Sequence, residues 1–304
     1  MPVRILAVLL SMAAFVLLGV AMAQEKNGIT KVQPPYEVDH AKSLEPKESL
    51  VAEAKDHTQY RVEFNGIKGD RVPGYLYVPK RKEEKGPFPT ILLQYGSGGN
   101  KKTDYIVAIG KQFVARGFVV LTIDSINTGE RKGKSKTGIL GLVGNDQIMH
   151  YCGDYSRAVD FLTTRPECDK DRIGYMGLSW GAITGITYVA YDQRIKVMGS
   201  MVGGGNFLGM FTKKDAEKAR MEVSKAGDPV YHVARIAPRP LLFVNVTKDQ
   251  LILKSWAESL HQAAGKNSKV VWHDTDHYFR SVDRAAVCEN VIDFIAKELN
   301  AKKK

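Results

Sequence analysis

Short apolar runs alternate with stretches of helical spacing along most of the chain. The runs that predict strands are 89–95, 118–124, 195–201, 240–246 and 269–273, the first two of them fully buried. Apolar residues recur with the helical period in 103–116, 146–164, 182–190, 251–264 and 283–299. Because strands that alternate with helices pair in parallel, the pattern predicts one α/β domain with a mostly parallel sheet covered on both faces.

The hydrophobic pattern is weaker at the N-terminal end of this domain. Residues 58–65 and 71–79 alternate as two strands joined by a turn, and we place the domain at 58–300. Residues 24–57 are polar apart from a weak helical run at 49–54, and this predicts a loosely packed N-terminal arm.

A long excursion at 203–239 separates two predicted strands. Its first part holds four large apolar residues at 207, 208, 210 and 211, and its second part, 213–225, is a charged helical run. An element with an apolar part and a solvated part predicts a cap over a substrate pocket. The alternative, that these apolar side chains complete the core, stays open.

Residues 1–23 have the pattern of a signal peptide. Arg4 is followed by an apolar stretch, and Ala21 and Ala23 are the small residues that signal peptidase requires. We therefore expect an exported protein, periplasmic or secreted, with no stable membrane anchor after cleavage near Ala23. The alternative is an uncleaved anchor, because residues 5–23 are nearly long enough to span a bilayer.

Charge and cysteine content change this picture little. The 304 residues carry a formal net charge of +11, and the basic residues are spread along the chain rather than clustered. This distribution favours a solvated basic surface over a site for an anionic partner such as an acidic polymer or a membrane surface, and we expect no nucleic-acid partner. The three cysteines are too few for a disulfide framework, and no Cys or His spacing suits a zinc site, so we expect no structural metal.

The motif G-x-S-x-G occurs once in a strand-turn-helix context, at 177–181. A serine on such a sharp turn projects its hydroxyl above the sheet, and the flanking glycines avoid collisions with the neighbouring strand and helix. The pattern predicts that Ser179 is a catalytic nucleophile.

A serine nucleophile needs a histidine base and a carboxylate. Asp249 and His277 each follow a predicted strand, in the chain order serine, acid, histidine of α/β-hydrolases. The rival acids are Asp274 and Asp276, which are too close to the histidine in sequence, and Asp228 in the excursion. We predict a triad of Ser179, Asp249 and His277.

The developing oxyanion needs two N–H donors. The amide of Trp180 supplies one, and Ser97 or Gly98 in the glycine-rich loop after the strand 89–95 supplies the other. We place Tyr95, Phe207 and Phe211 in the substrate pocket. The loop lacks the spacing of a phosphate-binding motif, and we therefore expect no nucleotide cofactor.

Residues 71–296 resemble the dienelactone hydrolase and acetyl xylan esterase-like group of the α/β-hydrolase superfamily. The matching segments are 74–79, 95–99, Asp124 with 129–131, 165–174, 177–181, Asp228-Pro229 and Asp276-His277. The resemblance implies an α/β-hydrolase fold and a serine ester hydrolase that needs no cofactor, with a small-molecule or saccharide ester as substrate. True dienelactone hydrolases use a cysteine nucleophile, which argues against dienelactone here.

Two other functions remain open on the sequence. A peptidase of the same superfamily would use the same triad, although such relatives usually carry a large extra domain. A hydrolase-fold binding protein without turnover is the second alternative. The natural ester and the oligomeric state do not follow from the sequence.

Overall fold

The computed structural model describes residues 36–81, 86–133, 145–206 and 228–301. Within these residues, nine strands form one sheet and five α-helices pack against it. The strands are β1 Lys47–Glu53, β2 His57–Asn65, β3 Arg71–Pro79, β4 Phe88–Gln94, β5 Val119–Ile123, β6 Cys168–Leu178, β7 Ile195–Met201, β8 Leu241–Val246 and β9 Ser268–His273. The α-helices are α1 Asp104–Ala115, α2 Asn145–Thr163, α3 Trp180–Val189, α4 Lys254–Ala264 and α5 Arg284–Glu298.

The strands lie in the order β1-β2-β3-β5-β4-β6-β7-β8-β9. The six strands from β5 to β9 in this order are parallel, and β1, β2 and β3 extend the sheet with antiparallel pairings. The predicted mostly parallel sheet is therefore confirmed. Because the carboxyl ends of parallel strands meet at one edge of a sheet, the loops after β4, β6, β8 and β9 come together there.

Helices cover both faces of the sheet and enclose a core on each. Helices α2, α3 and α4 pack on one face, and α1 and α5 pack on the other. The central strands β4, β5 and β8 are buried at every position. This double coverage explains why their sequences are almost continuously apolar, and why they could be recognised from the sequence.

The helical run predicted at 49–54 is wrong, because these residues lie in strand β1 or directly after it. Strand β1 pairs antiparallel with β2, with Glu48 opposite Val62, and all seven of its side chains are exposed. Backbone hydrogen bonds to a neighbouring strand form this edge, and no side-chain burial is involved. The hydrophobic pattern therefore held no signal for it, and the sheet extends into the predicted arm.

The cysteines Cys152, Cys168 and Cys288 are free and buried. Burial raises the pKa of Cys168 and of Cys288 to about 12, so both thiols stay protonated and unreactive in the folded chain. Among the described residues, no helix is both long and apolar enough to cross a membrane.

Candidate active site

Ser179 occupies the turn between β6 and α3. Its φ is 50° and its ψ is −113°, a conformation that residues other than glycine rarely adopt. The flanking backbone is crowded: a Cβ on Gly177 would lie 2.3 Å from the carbonyl oxygen of Gly181, and a Cβ on Gly181 would lie 2.6 Å from that of Tyr95. The two glycines of the motif are thus required sterically, and the turn presents the serine at the carboxyl edge of the sheet.

His277 follows β9 and lies between the serine and an acid. Its Nε2 is 3.1 Å from Oγ of Ser179, and its Nδ1 is 2.7 Å from Oδ2 of Asp249. The imidazole is only 8% exposed, so the surrounding protein restricts its orientation. The structure therefore brings together the three predicted residues, in the geometry that lets an imidazole accept the serine proton while a carboxylate orients it.

Asp249 is held from the loop that follows β8. Its side chain is 2% exposed, and its Oδ1 accepts hydrogen bonds of 2.8 Å from the backbone N–H groups of Leu251 and Ile252. These bonds use one carboxylate oxygen and leave Oδ2 for His277. The carboxylate is thereby fixed in position before any substrate arrives.

The rival acids bind other groups. Asp274 accepts from Lys248 at 2.8 Å, and Asp276 accepts from Arg280 at 3.1 Å. The carboxylate of Asp228 accepts from the backbone N–H of Asn206. Among the three rivals, none forms a hydrogen bond with the histidine of the site.

The glycine-rich loop after β4 is a β-turn beside Ser179. The N–H of Gly99 donates to the carbonyl of Gly96 at 3.1 Å, and Gly98 has a φ of 77°, as in a type II turn. A Cβ on Gly96 would lie 3.6 Å from the serine Oγ, so the loop backbone approaches the nucleophile closely. The turn therefore lies beside the hydroxyl of Ser179.

Two amides of this loop lack an acceptor in the described part of the chain, those of Ser97 and Gly98. The other six N–H groups of residues 96–103 donate to acceptors within the chain. The pairs are Gly96 to Tyr105 Oη, Gly99 to Gly96 O, Asn100 to Thr103 Oγ1, Lys101 to Asp124 Oδ1, Lys102 to Asn100 Oδ1 and Thr103 to Asn100 O. The N–H of Trp180 starts α3 and has no intrahelical acceptor. The three predicted oxyanion donors are thus the amides that remain available; their role stays a prediction.

Buried ion pairs anchor the far end of the same loop. The side chain of Lys101 is 1% exposed and contacts the carboxylates of Asp124 and Glu130, the latter at 2.6 Å. Arg61 binds Glu130 from the surface, and this bond and the charge of Lys101 hold the pKa of Glu130 at about 2. The loop therefore extends from a network of ion pairs in which Glu130 stays ionised at neutral pH.

A cavity of about 610 Å³ opens at Ser179 and His277. Its described apolar lining includes Leu178, Trp180, Ile183, Val202, Leu251, Ile252, Trp256 and Phe279. Arg284 is the one cationic residue of this described lining, and no carboxylate lines it. The site thus combines a polar catalytic edge with an apolar wall, a composition typical of small-molecule sites.

The prediction that Tyr95 lines the pocket is wrong for the described cavity. Its side chain is 5% exposed, and its hydroxyl accepts from the N–H of Ser125 at 2.8 Å and lies 2.6 Å from Oγ1 of Thr128. The alternation of β4 directs this ring into the core beneath the loop. Phe207 and Phe211 lie outside the described residues, as does most of the predicted cap.

Sequence reasoning missed several pocket residues, among them Tyr105, Trp256, Phe279 and Arg284. Tyr105 and Trp256 lie in the first turns of α1 and α4, and Arg284 starts α5. Each looks like an ordinary surface residue of an amphipathic helix. The available signal was positional, because all three helices begin at the carboxyl edge of the sheet, next to Ser179.

One group of possible metal ligands exists among the described residues: Asp70, His150 and Asp154. Arg131 is buried among them, with its guanidinium 2.7 Å from each carboxylate and 3.1 Å from Nε2 of His150. Although burial opposes it, pairing with His150 and Arg131 holds the pKa of Asp70 well below its usual range. The guanidinium already forms hydrogen bonds with both carboxylates, so the cluster is a structural ion-pair network.

Comparison with known proteins places this geometry in a family. Residues 68–219, half of the chain, match the model described as X-Pro dipeptidyl-peptidase (S15 family). The acetyl xylan esterase from Paenibacillus sp. R4 superposes with a TM-score of 0.71 at 19% identity, over 88% of this chain and 98% of that one. This likeness shows the α/β-hydrolase fold.

Curated relatives match over shorter stretches. The putative hydrolase YtaP of Bacillus subtilis (strain 168) is 30% identical over 142 residues, which are 42% of this chain and 47% of that protein. Esterase FrsA of Shigella boydii serotype 18 (strain CDC 3083-94 / BS512) is 30% identical over 41% of this chain and 27% of that protein. The matches thus cover less than half of these relatives. From the family match, the chain therefore belongs to the X-Pro dipeptidyl-peptidase (S15) family, and it has an α/β-hydrolase fold.

Proposed function

We propose that this protein hydrolyses a carboxylic ester through an acyl-enzyme on Ser179. The observation that carries the proposal is the relay of 3.1 Å from Ser179 to His277 and 2.7 Å from His277 to Asp249, at the mouth of an apolar cavity. The esterase FrsA and the acetyl xylan esterase share part of the sequence or the fold, and they support the same class of reaction.

The reaction follows from the positions of these groups. Nε2 of His277 accepts the hydroxyl proton as Oγ of Ser179 bonds to the carbonyl carbon, whose π electrons move onto oxygen. The amides of Trp180 and of Ser97 or Gly98 stabilise this oxyanion. When the oxyanion collapses, the bond to the alcohol oxygen breaks and the imidazolium protonates that oxygen. Water then attacks the acyl-enzyme by the same route and releases the acid and Ser179.

The apolar cavity wall supports an ester with an apolar acyl or alcohol group. Burying each methylene contributes about 0.8 kcal/mol of binding. We expect kcat/KM for p-nitrophenyl esters to rise from acetate to butyrate to hexanoate. A preference for acetate would contradict this assignment of the apolar wall.

A peptidase is the second candidate, favoured by the description of the matching family model. A dipeptidyl-peptidase must bind the charged amino terminus of its substrate, and a carboxylate is the group suited to that task. The described lining of the cavity has no carboxylate. The described pocket therefore favours an ester over a peptide.

One assay separates these candidates. We expect the purified protein to hydrolyse p-nitrophenyl esters, to leave X-Pro p-nitroanilides intact, and to be labelled by a fluorophosphonate probe. Ser179→Ala should abolish hydrolysis and labelling, whereas Ser259→Ala, a change of a partly exposed serine on helix α4, should retain both. Faster turnover of the anilide would favour the peptidase, and absence of both activities with no adduct would favour a binding protein.

We also propose that the chain is exported and cleaved after Ala23. The support is the basic start, the apolar stretch and the small residues of the segment 1–23. Amino-terminal sequencing of protein from an exporting bacterial host should begin at Gln24. An intact start retained in the membrane fraction would instead indicate the uncleaved anchor.

A further inference from the structure

The peptide that joins Tyr95 to Gly96 is held from two sides. Its carbonyl oxygen lies against Gly181, where an added Cβ would approach it to 2.6 Å. Its N–H, on Gly96, donates a hydrogen bond of 2.9 Å to the hydroxyl of Tyr105. The nucleophile turn therefore contacts one end of this peptide and a side chain from α1 contacts the other.

The orientation of this peptide determines where the next amides point. Gly96 has no Cβ and could adopt many backbone conformations, so the turn needs an external contact to set the direction of the chain entering it. The far end of the loop is already tied, because the N–H of Lys101 donates to Asp124 at 3.0 Å. At the near end, next to the nucleophile, the hydroxyl of Tyr105 holds the loop by accepting the hydrogen bond from the N–H of Gly96.

Tyr105 is itself restrained. It lies in the first turn of α1, packs against the core on the face of the sheet that α1 and α5 cover, and lines the cavity. The guanidinium carbon of Arg284 lies 5.7 Å from the centre of its ring. Burial raises the pKa of Tyr105, so its hydroxyl stays neutral at neutral pH and can accept the hydrogen bond from Gly96.

We infer that Tyr105 is a positioning residue for the reaction: its hydroxyl holds the Gly96 peptide so that the amides of Ser97 and Gly98 face the oxyanion. It acts through the loop backbone and forms no bond to the substrate. The inference rests on the proposed ester hydrolysis at Ser179. Because an oxyanion forms only during reaction, the hydroxyl stabilises the transition state far more than the bound ester.

The test is Tyr105→Phe, which removes only the hydroxyl of a half-buried ring. Removing an oxyanion donor typically costs about 10²–10³ in kcat, and a donor that is misaligned should cost less. We expect kcat on p-nitrophenyl butyrate to fall about 10- to 100-fold, with KM nearly unchanged. Binding of an alkyl trifluoromethyl ketone, which forms an oxyanion adduct with the serine, should weaken by the same factor. Binding of the corresponding alcohol, which forms no adduct, should not change.

Tyr77→Phe is the matched structural control. Tyr77 is a buried tyrosine in the same core, and its hydroxyl accepts a hydrogen bond of 3.4 Å from Gln59. We expect it to alter thermal unfolding at least as much as Tyr105→Phe while kcat is retained. If Tyr105 had only a structural role, Tyr105→Phe would instead lower the stability of the protein without a selective loss of kcat or of ketone binding.

The outcomes are distinct. If the wild type is active and Tyr105→Phe keeps its kcat, or changes only KM, the inference is wrong while the proposed function stands. Unchanged affinity for the trifluoromethyl ketone also overturns it. If the wild type neither hydrolyses esters nor forms the ketone adduct, the proposed function is wrong and the inference falls with it.

Discussion

At the scale of residues, the site depends on hydrogen bonds that assign one task to each polar atom. Oδ1 of Asp249 binds two backbone amides and Oδ2 binds His277, whose other nitrogen faces Ser179. A carboxylate held in this way can orient only one tautomer of the imidazole, the one whose free nitrogen can accept the serine proton.

Removal of members of this relay should give non-additive losses. We expect Ser179→Ala and His277→Ala each to lower kcat by several orders of magnitude, and the double variant to lose little more, because the residues act as a unit. Kinetics with p-nitrophenyl butyrate beside circular dichroism of each variant would measure this. Additive losses would contradict the relay.

The acid can be assigned by a paired comparison. Asp249→Asn should lower kcat strongly, because the amide would favour the wrong tautomer of His277. Asp276→Asn is the control, since this carboxylate binds Arg280 and lies in the same loop as the histidine. If Asp276→Asn inactivates the protein and Asp249→Asn does not, the assignment is wrong.

At the scale of elements, the turn between β6 and α3 brings a strand and a helix closer than side chains allow. Gly181 is the second residue of α3, and a Cβ at this position would lie 2.6 Å from the carbonyl oxygen of Tyr95 and 2.8 Å from that of Gln94, where β4 ends. Sheet and helix meet here by backbone contact, so the position of Ser179 is coupled to the glycine-rich loop after β4.

Two helical glycines should therefore respond oppositely to the same change. Gly181→Ala places a Cβ 2.6 Å from backbone and should cost about 3 kcal/mol or more in the free energy of unfolding. In Gly110→Ala the nearest atom to the new Cβ is 3.8 Å away, an ordinary contact, and alanine should stabilise α1 by about 0.5–1 kcal/mol. Urea unfolding measures both variants, and equal effects would contradict the role of close backbone approach.

At the scale of the whole molecule, the buried His232 and the half-buried His261 make stability depend on pH. Burial lowers the pKa of His232 and of His261 to about 4, and in the unfolded chain both return to the usual value of 6.5. Their neutral forms are thus favoured in the fold. The stability they contribute is complete above pH 6.5 and is lost as the pH falls toward 4.

We expect the free energy of unfolding to decrease between pH 6.5 and pH 4, with His232 accounting for about 1–3 kcal/mol of the change. His232→Gln should flatten this decrease, and His40→Gln, which alters an exposed histidine, serves as the control. Urea unfolding at several pH values makes the measurement. An equal slope in wild type and His232→Gln would exclude the buried histidine as the cause.

The sequence by itself determined the order and type of the central strands and helices, the nucleophile turn, and the two other residues that the fold brings to Ser179. These features depend on local causes: buried strands are continuously apolar, a sharp turn requires glycine, and loops after parallel strands meet at one edge. What remained undecided depends on contacts between distant segments. Only the tertiary structure showed that β1 is an edge strand, since its pairing with β2 buries none of its side chains.

The same reason explains the pocket. Tyr95 and Tyr105 are both aromatic residues close to one loop, and nothing in the local pattern tells which of them faces the cavity. The pleat of β4 directs Tyr95 toward Ser125, whereas the start of α1 places Tyr105 against Gly96. The side to which a ring turns is decided by the packing of the elements that carry it, and this packing exists only once the chain has folded.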